Sequence, residues 1–172
     1  MKFRSLMLAV CLLVAGAARV DAAASISEMN VFLQANRPAL VEILTRIHAH
    51  AMTPDKRFLV VSVGGGRRYV QCMLIDEDRS VYCEAGSGYY DHTRPPSASA
   101  RRALARLGFT GDGRKGNYRY EGVIGGEAGL WTVADLMLET LYRAYGARPG
   151  TTFSADAPLA EEGAAPPIPR PD

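Results

Sequence analysis

The stretch from Phe58 to Ala85 constrains the fold more than any other. Three runs of strand-forming residues, Phe58–Val63, Arg68–Ile75 and Ser80–Ala85, are separated by two short turn signals. Gly64-Gly65-Gly66 supplies the first turn, because glycine takes positive φ freely. Asp76–Arg79 makes the second. With that turn centred on Glu77 and Asp78, Leu74 faces Val81, Cys72 faces Cys83 and Val70 faces Ala85. All six fall on one apolar side. Tyr69, Gln71 and Met73 share the other side with Ser80, Tyr82 and Glu84. A slip of one residue would exchange the two sides, so the pattern sets register as well as burial.

Whether Cys72 and Cys83 are joined depends on the compartment, and the N-terminus speaks to that. Lys2 and Arg4 precede an apolar run from Leu6 to Ala15. Small residues follow, ending in Val20-Asp21-Ala22 and the alternative Ala22-Ala23-Ala24. This is the layout of a secretory signal, assigned to residues 1–22, with an A-x-A-like cleavage site. A membrane anchor would need about 20 apolar residues, and this run is shorter. The protein is therefore expected to be exported, to the periplasm or beyond. Cys11 lies inside the signal, and its lipoprotein reading is weak because Val10 is bulky and the apolar run continues past it. Two thiols remain in an oxidising compartment, which predicts a Cys72–Cys83 disulfide. The alternative is a pair of buried free cysteines packing as small hydrophobes.

Removal of Lys2, Arg4, Arg19 and Asp21 leaves 17 basic and 17 acidic residues in a chain of 150. A neutral mature protein is not built around phosphate neutralisation, so nucleic acid is excluded as the main partner. No second apolar run is long enough to span a membrane. The length suffices for one domain with a real core.

The flanking segments read as helices and turns. Residues up to about Met52 are expected to be helical, with Asn36 as an N-cap and Pro38 in the first turn. Leu40, Ile43, Leu44 and Ile47 then share a face, opposite Glu42 and Arg46. Ser27–Gln34 forms an earlier turn or two, and Thr53-Pro54-Asp55 ends the segment. Ser97 caps a short helix, Ala98–Leu107, stopped by Gly108. Asn117–Val123 alternates as a strand. Thr132-Val133-Ala134-Asp135 has the form of a capping box opening a last helix that stops at Gly146. The expected order is α-β-β-β-α-β-α, a single antiparallel sheet packed with helices, hence an α+β fold. The domain is assigned to residues 25–153, and residues 154–172, rich in Ala and Pro, to a disordered tail.

No catalytic constellation stands out, and none is assigned; neither is a metal ligand or a cofactor site. His48 and His50 are two apart on a helix, point in nearly opposite directions and cannot grip one ion. Gly64-Gly65-Gly66-Arg67-Arg68 resembles a phosphate loop, but a strand follows where a helix N-terminus would be required. Arg101, Arg102 and Arg106 form a basic helix face that reads as solvated surface. The loop Tyr89-Tyr90-Asp91-His92 could serve a small-ligand site or a hydrolase, although no nucleophile motif accompanies it. The last helix carries two apolar stripes, Val133 to Ala144 and Ala134 to Tyr145, leaving Asp135, Glu139, Tyr142 and Arg143 outward. So wide an apolar face means burial on more than one side. The second cover is either another helix of the same chain or a second copy, meeting at Leu138, Leu141 and Tyr145.

Several short segments together resemble the TY-Chap domain, the group of YbjN-like and type III secretion chaperone-like proteins. They are Arg68-Tyr69-Val70-Gln71, Leu104-Ala105-Arg106-Leu107-Gly108-Phe109, Asn117, and the helix Ala134–Gly146 ending Thr140-Leu141-Tyr142-Arg143-Ala144-Tyr145-Gly146. The resemblance covers most of Phe58–Phe153. Phe109 stands where the family usually has tryptophan. The resemblance implies a small, secretion-chaperone-like α+β domain, often dimeric, that binds other polypeptides and has no known catalytic residues. The secretion chaperones of the family are cytoplasmic, whereas this chain carries an export signal. The expectation is an exported, non-enzymatic protein-binding domain. Tyr69, Gln71, Met73 and Tyr82 form its candidate contact surface, since tyrosine combines apolar area with a polar tip.

Overall fold

A computed structural model describes residues 6–49, 57–77 and 79–158, with side chains in the first helix from Ile26 onward. Helix α1 spans Leu6–Ala49. Strands β1 (Phe58–Val63), β2 (Arg68–Ile75) and β3 (Ser80–Ala85) follow. Then come α2 (Ala98–Arg106), β4 (Tyr118–Val123), α3 (Glu127–Tyr145) and β5 (Ser154–Asp156). The five strands form one antiparallel sheet in the order β4-β3-β2-β1-β5. The fold is α+β, in the expected order with one short strand added at the end.

The hairpin register is the one the alternation dictates: Leu74 opposite Val81, Cys72 opposite Cys83 and Val70 opposite Ala85. Cys72 and Cys83 are bonded across the two strands, with Cα atoms 4.1 Å apart. Leu59, Val61 and Val63 of β1 extend the same face, and all nine of these side chains are buried. The three helices cover that face alone. Helix α3 lies at the centre, packed on β2, with α1 along one flank and α2 along the other. Phe32, Leu40, Leu44 and Ile47 of α1 are fully enclosed. Each such side chain contributes about 1.5–3 kcal/mol by leaving water.

Four local expectations are corrected by tertiary packing. Pro38 lies inside α1 rather than at the start of a new helix, and Asn36 is no N-cap; its side-chain amide donates to the Phe32 carbonyl at 2.7 Å. A proline there forfeits a backbone hydrogen bond and costs about 3 kcal/mol. Burial of Phe32 and Leu33 before it and of Leu40 and Leu44 after it offsets that cost. Helix α3 starts at Glu127, capped by Gly126, not at a Thr132–Asp135 capping box. Asp135 instead pairs with Arg37 of α1, and the earlier start brings Leu130 into the core. Tyr142, expected outward, is buried. Its ring lies 5.7 Å from that of Phe32, its hydroxyl donates to Glu28 at 3.0 Å, and the Arg148 guanidinium sits 4.4 Å above its face. Finally, Ser154–Asp156, placed in the tail, forms β5 on the free edge of β1, with Ser154 Oγ 2.7 Å from Ser62 Oγ.

The same packing decides what the second stripe of α3 meets. Leu138 and Leu141 are fully buried and Tyr145 is 4% exposed, all within one chain. Leu138 lies between Asp135 and Tyr142 on the helical surface, and both of those contact α1. Leu138, Leu141 and Tyr145 are therefore enclosed within one chain, Leu138 on the flank that α1 covers and Tyr145 against Gly86, and none of them presents an exposed apolar surface. The basic start of the proposed signal (residues 1–5), the Thr53-Pro54-Asp55 break, His50 and residues 159–172 lie outside the described residues. Among the described residues no helix is long and apolar enough to cross a membrane.

Candidate functional site

Among the described residues no helix covers the opposite face of the sheet. Strand alternation sends Phe58 and Val60 of β1, Tyr69, Gln71, Met73 and Ile75 of β2, and Ser80, Tyr82 and Glu84 of β3 to that face. The four residues singled out in the sequence, Tyr69, Gln71, Met73 and Tyr82, thus stand together on one surface, each half-buried by its neighbours. Across the strands they form rows. Phe58, Met73, Tyr82 and Glu121 align, as do Ile75, Ser80 and Val123. Val123, on the outermost strand, is 88% exposed. A shallow groove of about 400 Å³ runs over the β5 side, lined by Val60, Tyr69, Gln71 and Asp156.

A polar network closes one end of this face. Asn117, just before β4, is buried and makes four hydrogen bonds to three neighbours. Its amide donates to the Tyr69 hydroxyl at 2.7 Å and to Glu84 at 3.0 Å. Its carbonyl accepts from the Ser87 backbone at 3.2 Å and from the Ser87 hydroxyl at 3.5 Å. The other oxygen of Glu84 accepts the Tyr82 hydroxyl at 2.7 Å. Burial and the bond to Glu84 push the Tyr82 hydroxyl up to about 12, and burial also raises Tyr69. Both phenols therefore stay protonated at neutral pH; Tyr82 donates to Glu84, and Tyr69 accepts from Asn117. Gly86 permits the packing: a Cβ there would sit 3.0 Å from the Tyr69 ring. The Asn117 and Ser87 roles depend on a contact between residues 30 apart in sequence, which local pattern does not reveal.

The edge of the sheet is partly open. Thr110 and Arg119 exchange backbone hydrogen bonds of 2.7 and 2.9 Å on the outer side of β4. Glu121 and Val123 share the parity of Arg119, so their N–H and C=O groups also point outward. Among the described residues no backbone group pairs with them there. Such an edge is a template for an added strand.

The Tyr89–His92 loop assembles no comparable site. Tyr89 and Tyr90 are exposed and meet edge to face at 5.1 Å. Asp91 accepts from the Thr93 backbone and hydroxyl within its own turn, and the hydroxyl bond holds its carboxyl below the usual range. None of Tyr89, Tyr90 and His92 lines the cleft of about 370 Å³ beside the loop. Gly64-Gly65-Gly66 is a strand connection, as its place between β1 and β2 requires. His48 lies on α1, and no group of three or more potential metal ligands occurs among the described residues.

The described residues form a two-layer α+β domain whose helices pack on one face of the sheet. Residues 39–158 match the family model described as T3SS (YopN, CesT) and YbjN peptide-binding chaperone 3, and the chain belongs to that family. The match begins within α1 and runs through β5. No curated protein and no solved structure matches the chain.

Proposed function

We propose that this protein is an exported, non-enzymatic domain that holds extended polypeptide segments against the open face of its sheet. Membership of a peptide-binding chaperone family supports a polypeptide partner. The uncovered face, where Phe58, Met73 and Tyr82 lie in one row, is the observation that carries the reading. Aromatic and methionine side chains suit variable partners, because they supply contact area and can repack. The open edge at Glu121–Val123 adds main-chain donors and acceptors that any peptide sequence can use.

Export rests on the basic, apolar and small-residue order of residues 1–22 and accords with the Cys72–Cys83 bond, since such bonds persist in oxidising compartments. The test has two arms. Expressed in a Gram-negative host, the chain should appear in the periplasm or medium with a new N-terminus at Ala23. The purified protein should suppress aggregation of a reduced, unfolded model polypeptide. Retention of the intact N-terminus in the cytoplasm contradicts export; unchanged aggregation contradicts polypeptide binding.

A further inference from the structure

We propose that the cleft beside the 86–97 loop is a subsite for the carboxylates of a bound acidic segment. The inference rests on the polypeptide-binding reading and assigns a charge preference to it. The cleft, about 370 Å³, lies where β2 begins, the loop passes and α2 starts. Arg67, Arg68 and Arg94 line it together with Pro96, Ala100 and Tyr145, and among the described residues no acidic side chain is part of its wall.

No carboxylate among the described residues holds these three arginines. Arg37, Arg46, Arg79, Arg114, Arg143 and Arg148 each have a carboxylate within 4.0 Å. Arg67 and Arg94 have no hydrogen bond or ion pair among the described residues, and both are exposed. Among the described residues the Arg68 side chain donates only to the Tyr145 carbonyl, at 3.2 Å. Arg101, one turn into α2, donates to the Pro96 carbonyl at 2.8 Å rather than to an acid. The nearest acid in the loop, Asp91, is engaged by Thr93. Three guanidinium groups thus share one cleft with no carboxylate among the described residues bound to them, whereas Arg102, Arg106 and Arg119, also without an ion pair there, do not line it. The first turn of α2 adds a field of the same sign.

Guanidinium groups take carboxylates through paired N–H donors, so three of them around one cleft favour an acidic ligand over a neutral one. Gly86 connects the two regions: it lines the cleft, and its backbone lies against the Tyr69 ring of the open face. A segment laid along the sheet can therefore continue around Gly86 into the cleft.

Two synthetic peptides of roughly a dozen residues test this. They share a half rich in Val and Tyr and differ in the other half, which carries a run of Glu in one and of Gln in the other. The full-length chain should bind the Glu peptide at least about tenfold more tightly, with the difference shrinking as salt rises. The double variant Arg67→Gln, Arg94→Gln should erase that difference and leave the Gln peptide's affinity unchanged. Equal affinities in the wild type, or a difference that survives in the double variant, overturn the subsite while the polypeptide-binding reading stands. Failure of both peptides to bind overturns both.

Discussion

Asn117 and Tyr69, 48 residues apart in sequence, are joined by a 2.7 Å hydrogen bond from the Asn117 amide to the Tyr69 hydroxyl. The bond links the segment before β4 to the start of β2, and through Glu84 it reaches Tyr82. The tyrosines of the open face are therefore fixed in position by one buried side chain.

Asn117→Ala should accordingly destabilise the fold by about 1–3 kcal/mol, because the Ser87 N–H loses its acceptor in a buried site. Denaturant unfolding followed by circular dichroism measures this. A loss well under about 0.5 kcal/mol would mean the network is a surface feature.

Alkaline pH probes the same network. Tyr82 has its hydroxyl raised from the ordinary 10.0 to about 12 by burial and by its bond to Glu84. The folded state therefore favours the protonated form. The stabilisation is fully present below pH 10.0 and is lost as pH rises through about 12. Tyr82→Phe should flatten the fall of stability across that window, as read from urea midpoints at stepped pH.

The Cys72–Cys83 bond closes a loop of about a dozen residues and contributes up to about 3 kcal/mol on the chain-entropy model. Two thiols should be absent in denaturant without reductant and appear with it. Reduction should lower the melting temperature while the antiparallel register persists.

Leu138→Glu separates burial within one chain from burial between copies. With Leu138 fully enclosed beneath α1, an unpaired carboxylate there should unfold the domain or cost at least about 3 kcal/mol. A variant that keeps its melting temperature and merely falls in mass would instead place Leu138 between subunits. Circular dichroism and light scattering together distinguish the two.

The parts of this architecture legible in the sequence are those set by neighbours along the chain. The β2–β3 register follows from period-two alternation and a turn of fixed length, and it brings Cys72 to Cys83 without long-range information. Ser97 caps α2 as its position indicates, its hydroxyl accepting from the Ala100 N–H at 3.2 Å. The misreadings arise where a distant partner decides. Thr132–Asp135 has the spacing of a cap, yet Asp135 faces Arg37, 98 residues away. Pro38 would end an isolated helix, but core contacts on both sides carry α1 through it. Ser154-Ala155-Asp156 has no strand signal of its own and is ordered by the vacant edge of β1. Tyr69, Gln71, Met73 and Tyr82 were readable as one surface because they share a parity; Asn117 and Ser87, which hold that surface, were not.

The central claim is that the uncovered sheet face receives polypeptide, and amide chemical-shift mapping of the full-length chain tests it most directly. On titration with a Val/Tyr-rich extended peptide, shifts should cluster at Gln71, Met73, Tyr82, Glu121 and Val123. Met73→Glu should abolish them while changing stability by less than about 1 kcal/mol, since Met73 is only half-buried. Shifts confined to α1, α2 and α3, or binding unaffected by Met73→Glu, would contradict the account.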